Sequence, residues 1–212
     1  MGVSVEGAIA DTAVTVDLTG KYTELKKASE EALNAAIKLL DQDCTYGAIG
    51  KTVQETIESF GYKPIVNLSG HSIQEFVIHA GYSIPNYDNK DKRKVERNCI
   101  YAIEPFATLG RGLIKESSHP EILMQQKNAN PRSPYARAVL AEIAPRNGLP
   151  FAKRWLQTKG AELGVRELLR ANVLRAYPPL VDVDGKMTVQ TEHTIYVSED
   201  GYEVTTRKVD DE

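Results

Sequence analysis

The stretch GVSVEGAIADTAVTV, residues 2–16, decides how the rest of the chain is read. Ala8, Ala10, Thr12, Val14 and Val16 fall on one side of an extended backbone, and Ile9, Asp11, Ala13 and Thr15 on the other. The alternation predicts a strand from Gly2 to Val16, so the 212 residues begin inside or at the edge of a sheet. Asp11 interrupts the apolar run, between Ile9-Ala10 and Ala13-Val14. It is either an edge or turn residue or a carboxylate with a partner, because burying one alone is costly.

Working outward, Thr19-Gly20 ends the strand. Leu25, Ala28, Leu33, Ala36, Ile37 and Leu40 form one face of a helix over 23–40. Thr45 is placed to cap a second helix carrying Ile49, Val53, Ile57 and Phe60, with Gly61 as its terminator. Strands are predicted at 65–68 and 77–80, then a loop rich in Asn, Asp and Lys over 85–98. CIYAIEPF, residues 99–106, reads as a compact apolar strand closed by Pro105. Between about Pro120 and Ala176 the character is helical: Ser133-Pro134 starts one helix, and Leu163, Leu168, Leu169, Val173 and Ala176 mark another. A hairpin, 187–197 with 202–209, ends the chain. The fold class is mixed α/β (α+β). The division is 1–112 as the first part of the core, 113–176 as a helical insert and 177–212 as the strands that complete the core.

Composition excludes several classes. At 42% apolar and 26% charged, the chain can bury a real core. A net charge of −3 argues against a protein built to grip nucleic acid or anionic lipid. Cys44 and Cys99 cannot make a disulfide framework, so a reducing, cytoplasmic setting is expected. No apolar run approaches the roughly 20 residues of a membrane helix, and MGVSVEGAIAD has neither the basic nor the apolar region of a signal peptide.

Three more polar residues stand in apolar or strand surroundings. Glu104 lies in Ala-Ile-Glu-Pro-Phe, Glu192 shares a strand face with Gln190 and Thr194, and His71 follows the small-residue turn Ser69-Gly70. Three acids and an imidazole in strand context ask for a shared cation such as Mn, Fe, Co or Zn. Each also has an ordinary reading: Glu192 could face solvent, and His71 or His79 could be satisfied core histidines. His71 and His79, eight residues apart, would share a face if the segment were extended. His193, Cys44 and Cys99 read as structural, and His119 as loop.

The strings GAIADTAVTV, KPIVNLSGHSIQEFVIHAG, YAIEPFATLGRG, LPFAKRWL, AYPPLVDVDG and QTEHTIYV carry a resemblance over nearly the whole chain. The sequence resembles the type 2 methionine aminopeptidases of archaea. That resemblance implies the pita-bread fold, a pseudo-twofold pair of sheet-and-helix halves around two metal ions, with a helical insert between Glu104 and Glu192. By position, Asp11 and Glu192 resemble the bridging carboxylates, His71 the histidine ligand, and Glu104 a ligand that also serves as acid and base. His79 resembles the histidine that hydrogen-bonds the scissile amide. Ile78 and Tyr177 resemble walls of the methionine pocket. The implied activity is metal-dependent release of N-terminal methionine from nascent polypeptides.

The chain also departs from the family pattern. The family's other aspartate ligand stands eleven residues before the position of Asp11, which here is one residue ahead of Met1. An upstream histidine and most of the N-terminal half are absent too. The expectation is therefore an incomplete chain that binds one ion, is weakly active and self-associates through an exposed sheet edge. The alternative is a non-catalytic interaction protein of the same fold.

Overall fold

A computed structural model of the chain describes residues 1–207. Its strands are β1 (Gly2–Val5), β2 (Ala8–Asp11), β3 (Ala13–Val14), β4 (Lys63–Pro64), β5 (Ser69–Ile73), β6 (Ser83–Pro85), β7 (Cys99–Ile103) and β8 (Phe106–Thr108). They continue with β9 (Ile114–Glu116), β10 (Ile122–Gln125), β11 (Phe151–Ala152), β12 (Leu174–Tyr177), β13 (Leu180–Asp182), β14 (Thr188–Val197) and β15 (Tyr202–Val204). The α-helices are α1 (Thr23–Lys38), α2 (Tyr46–Ser59), α3 (Pro134–Ile143) and α4 (Ala161–Arg170). The chain divides into two compact units: Met1–Lys115 with the chain from Asp182 onward, and Glu116–Val181. The sequence placed these boundaries at 113 and 176. Among the described residues no helix is long and apolar enough to cross a membrane.

The first unit is built on β14, its longest strand. The sheet runs β4-β8-β14-β7-β5-β6, and β3 and β15 pair with β14 as well. β7 and β8 follow one register along β14: Ile103 faces His193 and Phe106 faces Gln190. They are thus one strand interrupted at Glu104-Pro105, where proline has no N–H to give the ladder. The interruption sets Glu104 opposite Glu192. Like charges in that position are destabilising unless something lies between them.

Helices α1 and α2 supply the other half of this core. On α1 the buried residues Leu25, Ala28, Ala32, Leu33, Ala36 and Ile37 form the expected stripe. Thr45 caps α2 by accepting the Ala48 N–H at 3.1 Å, and Gly61 follows the helix with φ of 82°. Tyr101, Ile103, Val189, Ile195 and Val197 of the sheet join these helices in one buried cluster. Full burial of each large aliphatic side chain contributes about 1.5–3 kcal/mol.

Several expectations are corrected. The strand predicted from Gly2 to Val16 is a hairpin of β1 and β2, followed by β3. Glu6 and Gly7, at φ of 50° and 94°, make a two-residue turn with both φ values positive. Glu-Gly is a weaker hairpin signal than Asn-Gly, so the turn was hidden in the alternation. The strands expected at 65–68 and 77–80 fall instead at β4, β5 and β6. Ser69-Gly70, read as a turn, lies within β5, and His71 is a strand residue. Gly70 is required there because a Cβ would stand 2.3 Å from the Ala102 carbonyl oxygen of β7. Tertiary packing, not turn chemistry, explains this glycine.

The second unit has its own sheet, β11-β10-β12, packed with α3 and α4. The sequence foresaw only helices. Ser133 caps α3 by accepting the Ala136 N–H, with Pro134 in the first turn. The helix expected to reach Ala176 ends at Arg170, and Leu174–Tyr177 pairs with β10. Asn172, in the left-handed region at φ of 51°, turns the chain between them. Of the C-terminal hairpin, β14 and β15 are seen, while residues 208–209 lie outside the described residues.

Candidate metal centre

Four strands of the first unit deliver the polar groups. Asp11 ends β2, His71 lies in β5, Glu104 fills the break between β7 and β8, and Glu192 lies in β14. One ligand atom each from Asp11, His71 and Glu192 lie within 4.8 Å of one another. Glu104 stands beside this trio, its Oε1 3.6 Å from His71 Nε2. His71 and Glu192 are buried, and Asp11 and Glu104 are half-buried.

His79 reaches this group by a different route from the extended face expected. The chain folds back after β5 through the bridge between Gln74 and Val77. Phe76, at the tip, takes φ of 58°, and its N–H donates to the Gly7 carbonyl at 3.0 Å. A Cβ on Gly7 would lie 2.5 Å from the Phe76 ring. This reversal brings the His79 ring edge-on to His71, with centroids 4.4 Å apart. Ile78 is half-buried beside it. Tyr177 belongs to the second unit, in β12, where its hydroxyl donates to Met124 Sδ at 3.5 Å and Arg175 stacks on its ring. His193 binds Thr206 Oγ1 through Nδ1 at 2.9 Å, a structural contact.

The electrostatics follow from crowding acids in a dry place. Burial, then Glu192, then Asp11 push Glu104 up to about 9. Burial, then Asp11, push Glu192 up to about 7. His71 is driven the other way, down to about 4, first by burial and then by His79. His71 is therefore neutral at pH 7, the form in which an imidazole ligates metal. Glu104 and Glu192, by contrast, are pushed toward the protonated form. Three acids and one neutral imidazole match a divalent first-row ion in charge and donor type, so the residues present fit such an ion.

Gln190, which the sequence marked only as part of a strand face, joins the centre. Its Nε2 donates to Glu104 Oε2 at 3.0 Å and to Glu192 Oε2 at 3.4 Å, tying the facing carboxylates together. The signal available was Gln-x-Glu at strand period, which places both side chains on one face.

Comparison with known proteins agrees with this geometry. The model for metallopeptidase family M24 matches residues 1–199. The chain belongs to metallopeptidase family M24. The methionine aminopeptidase of Methanocaldococcus jannaschii is 42% identical over 209 residues, covering 98% of this chain and 71% of the relative. That of Archaeoglobus fulgidus is 42% identical over 208 residues, with the same coverage of 98% and 71%. This M24 chain is thus similar to the type 2 methionine aminopeptidases. Among solved structures, a methionine aminopeptidase from Thermotoga maritima superposes with a TM-score of 0.63 at 22% identity, covering 98% of this chain and 61% of that one. A thermophilic Arx1 gives a TM-score of 0.79 at 16% identity, covering 94% of this chain and 63% of that one. These two likenesses establish the pita-bread fold. The chain spans less than two thirds of either solved structure.

Proposed function

We propose that this M24 chain is a metal-dependent aminopeptidase that releases methionine from the N-terminus of nascent polypeptides in the cytoplasm. The observation that carries this reading is the meeting of Asp11, His71 and Glu192 within 4.8 Å, with Glu104 3.6 Å from His71. These four side chains would hold one divalent ion, Mn, Fe, Co or Zn. When bound, such an ion supplies Lewis acidity toward a peptide carbonyl and a more acidic water.

The remaining work falls to side chains. Glu104 moves the proton, taking it from the attacking water onto its carboxylate and giving it to the leaving amine. Burial beside Glu192 and Asp11 favours a proton on Glu104 in the metal-free chain, and a bound cation would displace it, leaving the carboxylate free to accept one. His79, edge-on to His71, donates to the scissile amide as charge develops on it. Ile78 offers an apolar wall to a methionine side chain.

Calorimetry with manganese and an assay of methionine release from a Met-Ala-Ser peptide test this reading. The expected result is one ion per chain and weak release that stops with chelator and returns with metal. Absence of ion binding with the four donors intact would contradict it and favour the non-catalytic interaction protein.

A further inference from the structure

One edge of β14 meets the N-terminal segment in a single antiparallel register, with Glu192 facing Ala13 and Thr191 facing Val14. Continued outward, this register sets Thr194 opposite Asp11 and Thr15 opposite Gln190. At both ends backbone pairing stops and a threonine hydroxyl takes its place. Thr194 Oγ1 accepts the Asp11 N–H at 2.7 Å and donates to the Asp11 carbonyl at 2.7 Å. Thr15 Oγ1 accepts the Gln190 N–H at 2.9 Å and donates to the Gln190 carbonyl at 2.9 Å. Between them Thr12 Oγ1 donates to the Glu192 carbonyl at 2.8 Å.

The backbone of Thr194 is not available to Asp11. Its N–H donates to Thr206 Oγ1 at 3.0 Å, and its carbonyl accepts the Thr205 N–H at 3.0 Å. The Asp11 strand is therefore held off β14 by one interposed hydroxyl, which serves as donor and acceptor at once. Thr194 is 2% exposed, so water does not compete for these bonds. The three residues whose backbones are clasped are Asp11, Glu192 and Gln190, two acids of the candidate centre and the amide that ties Glu104 to Glu192.

We propose that Thr194, with Thr12 and Thr15, is a positioning residue whose hydroxyl clasp sets the separation of the Asp11 and Glu192 carboxylates for a divalent cation. The inference rests on the metal reading above. A ligand pair must be held to about half an ångström to grip an ion well, and backbone clasps are a direct means of doing so. Valine matches threonine in shape and would leave the Asp11 N–H and carbonyl without partners, freeing its strand to shift. Serine keeps the hydroxyl.

The test is calorimetry of Mn2+ binding to metal-free wild type, Thr194→Val, Thr194→Ser and Thr15→Val, with the visible spectrum of bound Co2+ and a melt for each. Removal of supporting contacts weakens metal affinity about 10–100-fold, so Thr194→Val is expected in that range, with a changed Co2+ spectrum. Thr194→Ser is expected to restore wild-type affinity and spectrum, and Thr15→Val to fall between. If Thr194→Val melts earlier but keeps wild-type affinity and spectrum, the threonine is only structural and the proposal is overturned. Should that variant not fold, unchanged affinity and spectrum in both Thr12→Val and Thr15→Val overturn it equally. Wild type that binds no Mn2+ overturns the metal reading itself, and the clasp's role with it.

Discussion

The two units bury different kinds of residue. Every buried polar or charged side chain among the described residues, from Ser29 and His71 to Glu192 and Thr194, belongs to the first unit. The core of the second unit is Leu123, Ala136, Val139, Ile143, Phe151, Val165, Leu168, Val173 and Leu174, apolar throughout. Formal charge divides in the same sense: Glu116–Val181 carries ten Lys and Arg against five Asp and Glu, within a chain of net charge −3. The core of the second unit is held by apolar packing. The first gives up stability to crowd acids at the break in β7–β8, and such a sacrifice is the mark of a site.

The sharpest way to break this comparison is to alter the proton carrier. Glu104→Gln is expected to lower methionine release about 10²–10⁴-fold, the usual range for losing a general acid–base group, while the fold persists. Peptide hydrolysis alongside circular dichroism checks it. In the second unit the same size of change should register in stability instead. Leu168→Ala is expected to cost about 2–5 kcal/mol in denaturant unfolding, by leaving a cavity, with Mn2+ affinity of the folded protein unchanged.

The response to pH separates the units next. Glu192 and Glu104 have folded values of about 7 and about 9, raised from 4.5, so the folded metal-free chain holds their protons more tightly than the unfolded chain. Their contribution is fully present below pH 4.5 and is lost as pH rises through 7 and then 9. His71, lowered from 6.5 to about 4, acts oppositely: its contribution is present above 6.5 and lost as pH falls through 4. Between pH 6.5 and 9 Glu192 and Glu104 act without the opposing histidine, so the melting temperature of metal-free protein is expected to fall. Saturating Mn2+ should flatten that slope, because ligation displaces the same protons. Thermal melts at four pH values, with and without the ion, decide it. The smallest effect is local: Ser133→Ala should cost about 1 kcal/mol through the lost cap of α3 and leave ion binding alone.

Legibility in the sequence divided by the range of the signal. Helices α1, α2 and α3 were readable because apolar spacing and caps are local signals. The donors were readable as misfits, acids in apolar strands, because desolvation makes such misfits rare. What was not readable depended on distant contacts. Gly70 looked like a turn because the carbonyl of Ala102 that forbids a Cβ lies across the sheet. The approach of His79 to His71 depends on a reversal at Phe76, a residue seldom found at positive φ and held there by Gly7. The hydroxyl clasps at Thr194 and Thr15 join residues more than 170 positions apart, with nothing local to announce them.

Anomalous diffraction from crystals of the 212-residue chain grown with Mn2+ tests the central claim most directly. The account predicts a manganese peak among the carboxylates of Asp11 and Glu192 and the ring of His71, with Glu104 turned to it. A map with no peak there, or with the ion bound only elsewhere, would contradict it.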